Sequence, residues 1–176
     1  MKKAMVLLLA VCLGFSLAGC GGGYTTVKGT GYTYEVKTGW EKKGSESYSS
    51  YYLEGEGEGK PRFFVMEETL SYGIAGTTLE EQYDPIIRAH MTDYIGSDGI
   101  SSNAFKNINK STIGSYAFVT ADIVTTGPSE VFYGRILCFF SGPTTAVVML
   151  FPPYSKNVFD KYKPDFDRLV KSVKLA

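Results

Sequence analysis

Three consecutive segments near the end of the chain, separated by two Gly-Pro pairs, limit the possible folds more than any other feature. Residues 116–124 and 131–140 alternate apolar and polar side chains, a pattern that indicates half-buried strands. Residues 146–151 are apolar throughout, as expected of a central strand covered on both faces. Turns are expected at Gly127-Pro128 and Gly142-Pro143. This order predicts an antiparallel β-meander.

Three further strand-type segments precede the meander. Residues 32–36 alternate apolar and polar side chains, and residues 48–53 and 62–67 are rich in aromatic residues. Gly39-Trp40 is expected to end the first strand. The Glu- and Gly-rich residues 54–61 favour a flexible polar connection. We therefore expect these three strands to form an N-terminal antiparallel group.

Two amphipathic segments predict helices. The first covers residues 77–94, where apolar side chains recur at helical spacing and Thr77 or Thr78 is a candidate N-cap. Pro85 either kinks this helix or starts a second one. The other helix is expected at residues 158–173, which carry a single apolar stripe.

This order of elements predicts an α+β fold, in which helices pack on one antiparallel sheet. We expect a single core that receives side chains from most of the elements. Its expected members are Val36, Phe63 or Phe64, Ile87, Val119, Ile136, Val148, Phe166 and Leu169.

The chain begins with the features of an export signal. Lys2 and Lys3 precede an apolar stretch of about 15 residues, whereas a bilayer-spanning helix needs about 20. The stretch ends in Leu17-Ala18-Gly19-Cys20, which resembles the lipobox of bacterial lipoproteins. This resemblance implies that residues 1–19 are a signal peptide that is removed. It also implies that a diacylglyceryl group on the sulfur of Cys20 holds the protein on the membrane.

The lipobox also predicts how the chain is divided and where it resides. Residues 20–30 are expected to form the lipidated Cys and a flexible linker that begins with three glycines, and residues 31–176 a single α+β domain. We expect an exported protein anchored on the extracytoplasmic side of the membrane. Gly21 stands where an Asp commonly retains enteric lipoproteins in the inner membrane. In a host with two membranes, this favours the outer one.

Charge and cysteine content exclude several classes of protein. The 18 basic and 18 acidic residues balance, and loss of Lys2 and Lys3 with the signal would leave an excess of two acids. Neither value favours nucleic acid as a partner. Of the three cysteines, Cys12 would leave with the signal and Cys20 would be acylated. Cys138 then has no partner for an intramolecular disulfide.

The order of elements resembles the PsbP-like α/β sandwich family, which also includes bacterial DcrB-type lipoproteins. Four short segments carry this similarity: Tyr34-Glu35-Val36 leading to Gly39-Trp40, Thr78-Leu79-Glu80-Glu81, Gly114-Ser115-Tyr116, and the closing residues 166–173. The resemblance implies a non-enzymatic assembly or accessory factor, and it supplies no catalytic motif.

No catalytic, metal or cofactor site can be assembled from the motifs. His90 is the only histidine, and its position within the apolar stripe of the first helix predicts a buried structural residue. Cys138 lies on the apolar face of a strand, where a free Cys acts as a small hydrophobe. Residues 54–60 lack the Gly and Ser or Thr positions of a phosphate loop and the ligand spacing of an EF-hand. They favour a solvated hairpin tip.

An aromatic group is the one candidate for a ligand-binding surface. The chain has 13 Tyr and 11 Phe, and Trp40 lies near Tyr48, Tyr51 and Tyr52 in the N-terminal strands. Such residues stack on sugars and peptides when they are exposed. Alternation along a strand instead turns every second side chain toward the core, and this second interpretation is the favoured one.

Three functions follow from these observations. The favoured one is a non-catalytic binding or assembly module of the cell envelope, held by acyl chains on Cys20 and working through contact with an envelope protein. The alternative is a ligand-binding lipoprotein that uses the Tyr/Trp group for a glycan or a small apolar ligand. An envelope hydrolase is the least favoured, because no base–nucleophile pair is found.

Overall fold

The computed structural model describes residues 23–45, 47–53, 55, 60–69 and 104–176. These residues form ten strands and a helix, α1 (Lys156–Ser172). The strands are β1 (Tyr24–Gly29), β2 (Tyr32–Lys37), β3 (Trp40–Gly44), β4 (Tyr48–Leu53), β5 (Arg62–Thr69), β6 (Phe105–Ile113), β7 (Tyr116–Thr126), β8 (Val131–Phe140), β9 (Thr145–Ser155) and β10 (Lys174–Leu175). The predicted signal, Cys20, the helix at 77–94, Ile87 and His90 lie outside the described residues.

The larger sheet has seven antiparallel strands in the order β3-β4-β5-β9-β8-β7-β6. The predicted meander is confirmed, because β7, β8 and β9 are consecutive neighbours. The apolar strand β9 lies at the centre, between β5 and β8, where side chains on both of its faces are buried. The α+β class, with an antiparallel sheet and a helix packed on it, is also confirmed.

A second, three-stranded sheet in the order β1-β2-β10 was not foreseen. β1 pairs with β2 along its whole length, from Tyr24 opposite Lys37 to Gly29 opposite Tyr32. Residues 24–29 fall within the linker that the sequence predicts over residues 20–30. They form a mostly exposed edge strand instead, so the folded part of the chain begins before residue 31. The structure therefore has two sheets in place of the single expected one.

The two faces of the larger sheet carry separate apolar clusters. On one face, α1 and β2 pack through Phe159, Tyr162, Phe166, Leu169, Tyr32, Tyr34 and Val36. The other face carries Val119, Ile136, Cys138 and Val148. Successive residues of β9 alternate between the clusters, as the pleat of a strand requires. All described members of the expected core, including both Phe63 and Phe64, are at most 5% exposed.

Two proline-containing segments differ from expectation. α1 runs through Pro164 without interruption, and this residue is exposed, so the carbonyl that loses its hydrogen bond is on the solvent side. β9 was expected to end at Phe151, but it continues to Ser155 past Pro152-Pro153. The two prolines lie at an irregularity in the pairing of β9 with β8. This irregularity accommodates them because proline has no backbone N–H to donate to a neighbouring strand.

Candidate functional site

The described part of the chain begins at Gly23, whose backbone carbonyl is held by Thr38. The backbone carbonyl of Gly23 accepts two hydrogen bonds from Thr38, one from its N–H and one from its side-chain hydroxyl, both 2.8 Å long. The next residue, Tyr24, is 43% exposed, and the guanidinium of Arg168 lies 5.0 Å from its ring centre. No sequence pattern marks Thr38, because a single Thr in a turn belongs to no motif. Cys20 itself lies outside the described residues.

Two members of the predicted aromatic group are part of the core. The ring of Trp40 packs against Phe63 and Tyr162 at centroid distances of 5.0 and 5.9 Å. Tyr51 is stacked on Phe63 at 4.7 Å and is 2% exposed. The Trp40 indole N–H also donates to Asp165 over 3.4 Å. Trp40 therefore holds β3 against α1, and Tyr51 packs β4 against Phe63 of β5.

The other two members lie on the opposite face of the same strand. Tyr48 is 40% exposed and packs beside Phe64. The hydroxyl of Tyr52 accepts a long hydrogen bond of 3.5 Å from Arg62. Because side chains alternate along β4, Tyr48 and Tyr52 point away from Tyr51. The four aromatic residues therefore do not share one surface, and their arrangement gives no support to the glycan-binding alternative.

A buried group of tyrosine hydroxyls lies beside Tyr51. The hydroxyls of Tyr34 and Tyr51 share a hydrogen bond of 2.6 Å. Burial, followed by the bond to Tyr51, raises the pKa of Tyr34 far above its ordinary value. Burial, followed by the nearby charge of Glu67, raises the pKa of Tyr32. These hydroxyls therefore stay protonated, and none is poised as a base or a nucleophile near neutral pH.

The exposed side of α1 carries an open depression of about 570 Å³, lined by Asp160, Lys163, Pro164, Asp167, Arg168 and Lys171. Most of its charged groups are paired. Asp167 bonds both Arg135, at 2.8 Å, and Lys163. Arg168 donates to Glu35 over 2.6 Å. The pairs with Arg135 and Glu35 join α1 to β8 and β2, and the depression contains no unpaired acid–base couple.

Cys138 is buried in the second apolar cluster, as its position on the strand predicted. Burial raises the pKa of its thiol well above the ordinary range, so the nucleophilic thiolate is disfavoured. Among the described residues, no group of three His, Cys, Asp or Glu side chains is arranged to hold a metal ion. Within the same part of the chain, no helix is long and apolar enough to cross a membrane.

Comparison with known proteins identifies the fold. No family model and no curated protein matches the sequence. Among solved structures, the chain is similar to the solution structure of cyanobacterial PsbP (CyanoP) from Synechocystis sp. PCC 6803. The TM-score is 0.63 at 14% sequence identity, and the match covers 92% of this chain and 98% of that one. Because the match spans nearly the whole of both chains, the structure described above has a PsbP-like fold.

Proposed function

We propose that this protein is an exported lipoprotein whose PsbP-like domain acts as a non-catalytic accessory module of the cell envelope. Acyl chains on Cys20 hold it on the extracytoplasmic side, in the outer membrane if the host has two membranes. The domain works by contact with an envelope protein. The observation that carries the proposal is the structural likeness to CyanoP along almost the full length of both chains.

The polar groups of the domain are occupied in holding the fold together, which agrees with a non-catalytic role. The tyrosine hydroxyls of Tyr34 and Tyr51 bond each other, and the thiol of Cys138 is buried among apolar side chains. The acids on α1 hold bases from the strands, as in Asp165 with Lys37. These groups stabilise the fold. A partner would therefore contact the outer surface of the domain.

Two exposed apolar side chains are suitable positions for a crosslinking probe that would capture the partner. Ile108, 44% exposed, lies on the edge strand β6, and Tyr48, 40% exposed, lies on β4 near the other edge of the larger sheet. Exposed large hydrophobic residues are common components of protein interfaces. A photo-crosslinking amino acid at either position, in the full chain expressed in its own host, would capture a protein that contacts that edge. The matched control carries the same probe together with Cys20→Ala.

We expect one envelope protein to be crosslinked reproducibly from at least one edge, and the crosslink to be lost with Cys20→Ala because the domain is no longer held at the membrane. The proposal fails if neither position captures a protein from the anchored chain while a glycan binds the purified domain in calorimetry. That result would favour the ligand-binding alternative.

A further inference from the structure

The part of the chain between Cys20 and the folded domain is shorter than the sequence suggests. Gly23 is fixed by the two hydrogen bonds that its carbonyl accepts from Thr38. From Tyr24 onward, the chain is paired with β2 residue by residue. The tether therefore ends at Gly23, whereas a flexible linker through residue 30 was expected.

The length of this tether limits how far the domain can stand from the membrane. Gly23 is only three positions after Cys20, and a fully extended chain spans only about 11 Å over that distance. The acyl chains would keep Cys20 at the bilayer surface. By comparison, the six residues of β2 alone extend about 17 Å. The domain is therefore larger than the distance that the tether allows between Gly23 and the membrane surface.

The surface around Gly23 suits contact with lipid headgroups. We call it the tether face, and it consists of Tyr24, Lys37, Thr38, Gly39 and Arg168. Its exposed aromatic ring lies under a guanidinium at 5.0 Å, and Tyr and Arg are both favoured where water meets lipid because each joins an apolar body to a polar end.

The two bases of the tether face are each paired with an acid. Lys37 bonds Asp165 at 3.0 Å, and Arg168 bonds Glu35 at 2.6 Å. The charges of these pairs cancel, so the tether face carries no excess of positive charge from them. We therefore expect the short tether to hold the face against lipid, with no requirement for anionic headgroups.

We propose that the tether face lies against the headgroups of the membrane to which the protein is anchored, which leaves the opposite end of the domain facing the envelope space. This inference rests on the proposed lipid anchor at Cys20. It also limits where an envelope protein binds, since a partner has access to the sides and the far end of the domain and not to the tether face.

Two labelling positions distinguish the ends of the domain. Glu41, exposed on β3, lies three residues after Thr38. Ser115 is exposed in the turn between β6 and β7. Its neighbour Gly114 lies close to Leu175, which pairs with the end of β2 that is distant from Lys37. A fluorophore is attached to Glu41→Cys or Ser115→Cys in the lipidated protein, where acylation blocks Cys20 and burial protects Cys138.

Each labelled protein is incorporated into phosphatidylcholine vesicles that contain a lipid with a nitroxide on its headgroup, and flotation is measured first. We expect both proteins to float, with quenching at Glu41→Cys and little at Ser115→Cys, unchanged at high salt. A Gly-Ser insertion of about 24 residues before Gly23, which has a root-mean-square span of about 27 Å, should remove most of the difference while flotation persists.

The possible failures are distinguishable. If the chain does not float, the lipid anchor is absent and the proposed function fails together with this inference. If it floats but the two labels are quenched equally, only the orientation is wrong. Quenching at Glu41→Cys that disappears at high salt, or that persists with the long insertion, would show that the tether does not hold the face in place.

Discussion

The buried hydroxyls of Tyr34 and Tyr51 show how single residues specify this core. Each ring packs among apolar side chains, and each hydroxyl satisfies the other at 2.6 Å. A buried polar atom without a partner is costly, whereas a pair of apolar groups of the same shape is nearly neutral. The pair therefore fixes the position of β2 relative to β4, which belong to different sheets.

Removing both hydroxyls should cost less than the sum of the two single removals. We expect Tyr34→Phe or Tyr51→Phe to lower the free energy of unfolding by about 1–3 kcal/mol, because the remaining hydroxyl is buried without a partner. The double variant should lose less than the sum of the two. Urea unfolding of the four proteins measures this coupling, with the exposed Tyr48→Phe as a control that changes stability little. Strict additivity would contradict a direct bond between the hydroxyls.

At the scale of elements, the distortion in β9 depends on a glycine in the neighbouring strand. A Cβ at Gly134 would lie 2.7 Å from the carbonyl oxygen of Phe151 and 2.9 Å from backbone atoms of Pro152 and Pro153. Backbone atoms of a central strand have little freedom to move aside. Gly134 therefore lets β8 pair with a strand that contains two consecutive prolines.

Gly134→Ala should destabilise the protein by about 1–3 kcal/mol, the usual cost of forcing an extra methyl group into a packed region. Gly142→Ala is the matched control, because a Cβ there meets no atom within 4 Å. We expect the control to be neutral or slightly stabilising. Thermal unfolding of both variants provides the comparison, and equal melting temperatures would refute the role assigned to Gly134.

The elements differ in how well the sequence predicted them. The central strands β7, β8 and β9 were foreseen because burial imposes apolar alternation or an apolar run. β1, β3 and β6 were missed, since edge strands carry exposed side chains such as Lys42 and Asn109 and have no such pattern. Alternation along β4 also predicted that part of the Tyr/Trp group would face the core, but the sequence does not specify which face of β4 meets the core.

At the scale of the whole molecule, the buried tyrosine hydroxyls and the buried thiol predict that the protein loses stability at alkaline pH. Burial raises the pKa of Tyr32 and Tyr34 above the ordinary 10.0, and that of Cys138 above 9.0. The folded chain keeps these protons when the unfolded chain loses them. Stability is therefore fully present below pH 9 and falls as pH rises above these ordinary values.

Each such group should contribute a slope of about 1.4 kcal/mol per pH unit once the unfolded form is ionised. Urea unfolding followed by the fluorescence of Trp40, the single tryptophan, should show the free energy of unfolding decreasing above pH 10. In the Tyr34→Phe, Tyr51→Phe double variant, the free energy of unfolding should decrease less steeply over the same pH range. Constant stability over this range would mean that these side chains reach solvent in the folded state.

The proposed attachment at Cys20 underlies both the proposed function and the proposed orientation of the domain, and mass spectrometry tests this attachment most directly. The protein is purified from the membrane fraction of its own host and its N-terminal peptide is analysed, with the Cys20→Ala variant as a control. We expect a chain that begins at Cys20 and carries a diacylglyceryl group on its sulfur. A chain that retains residues 1–19, or that begins at an unmodified Cys20, would contradict the lipid anchor.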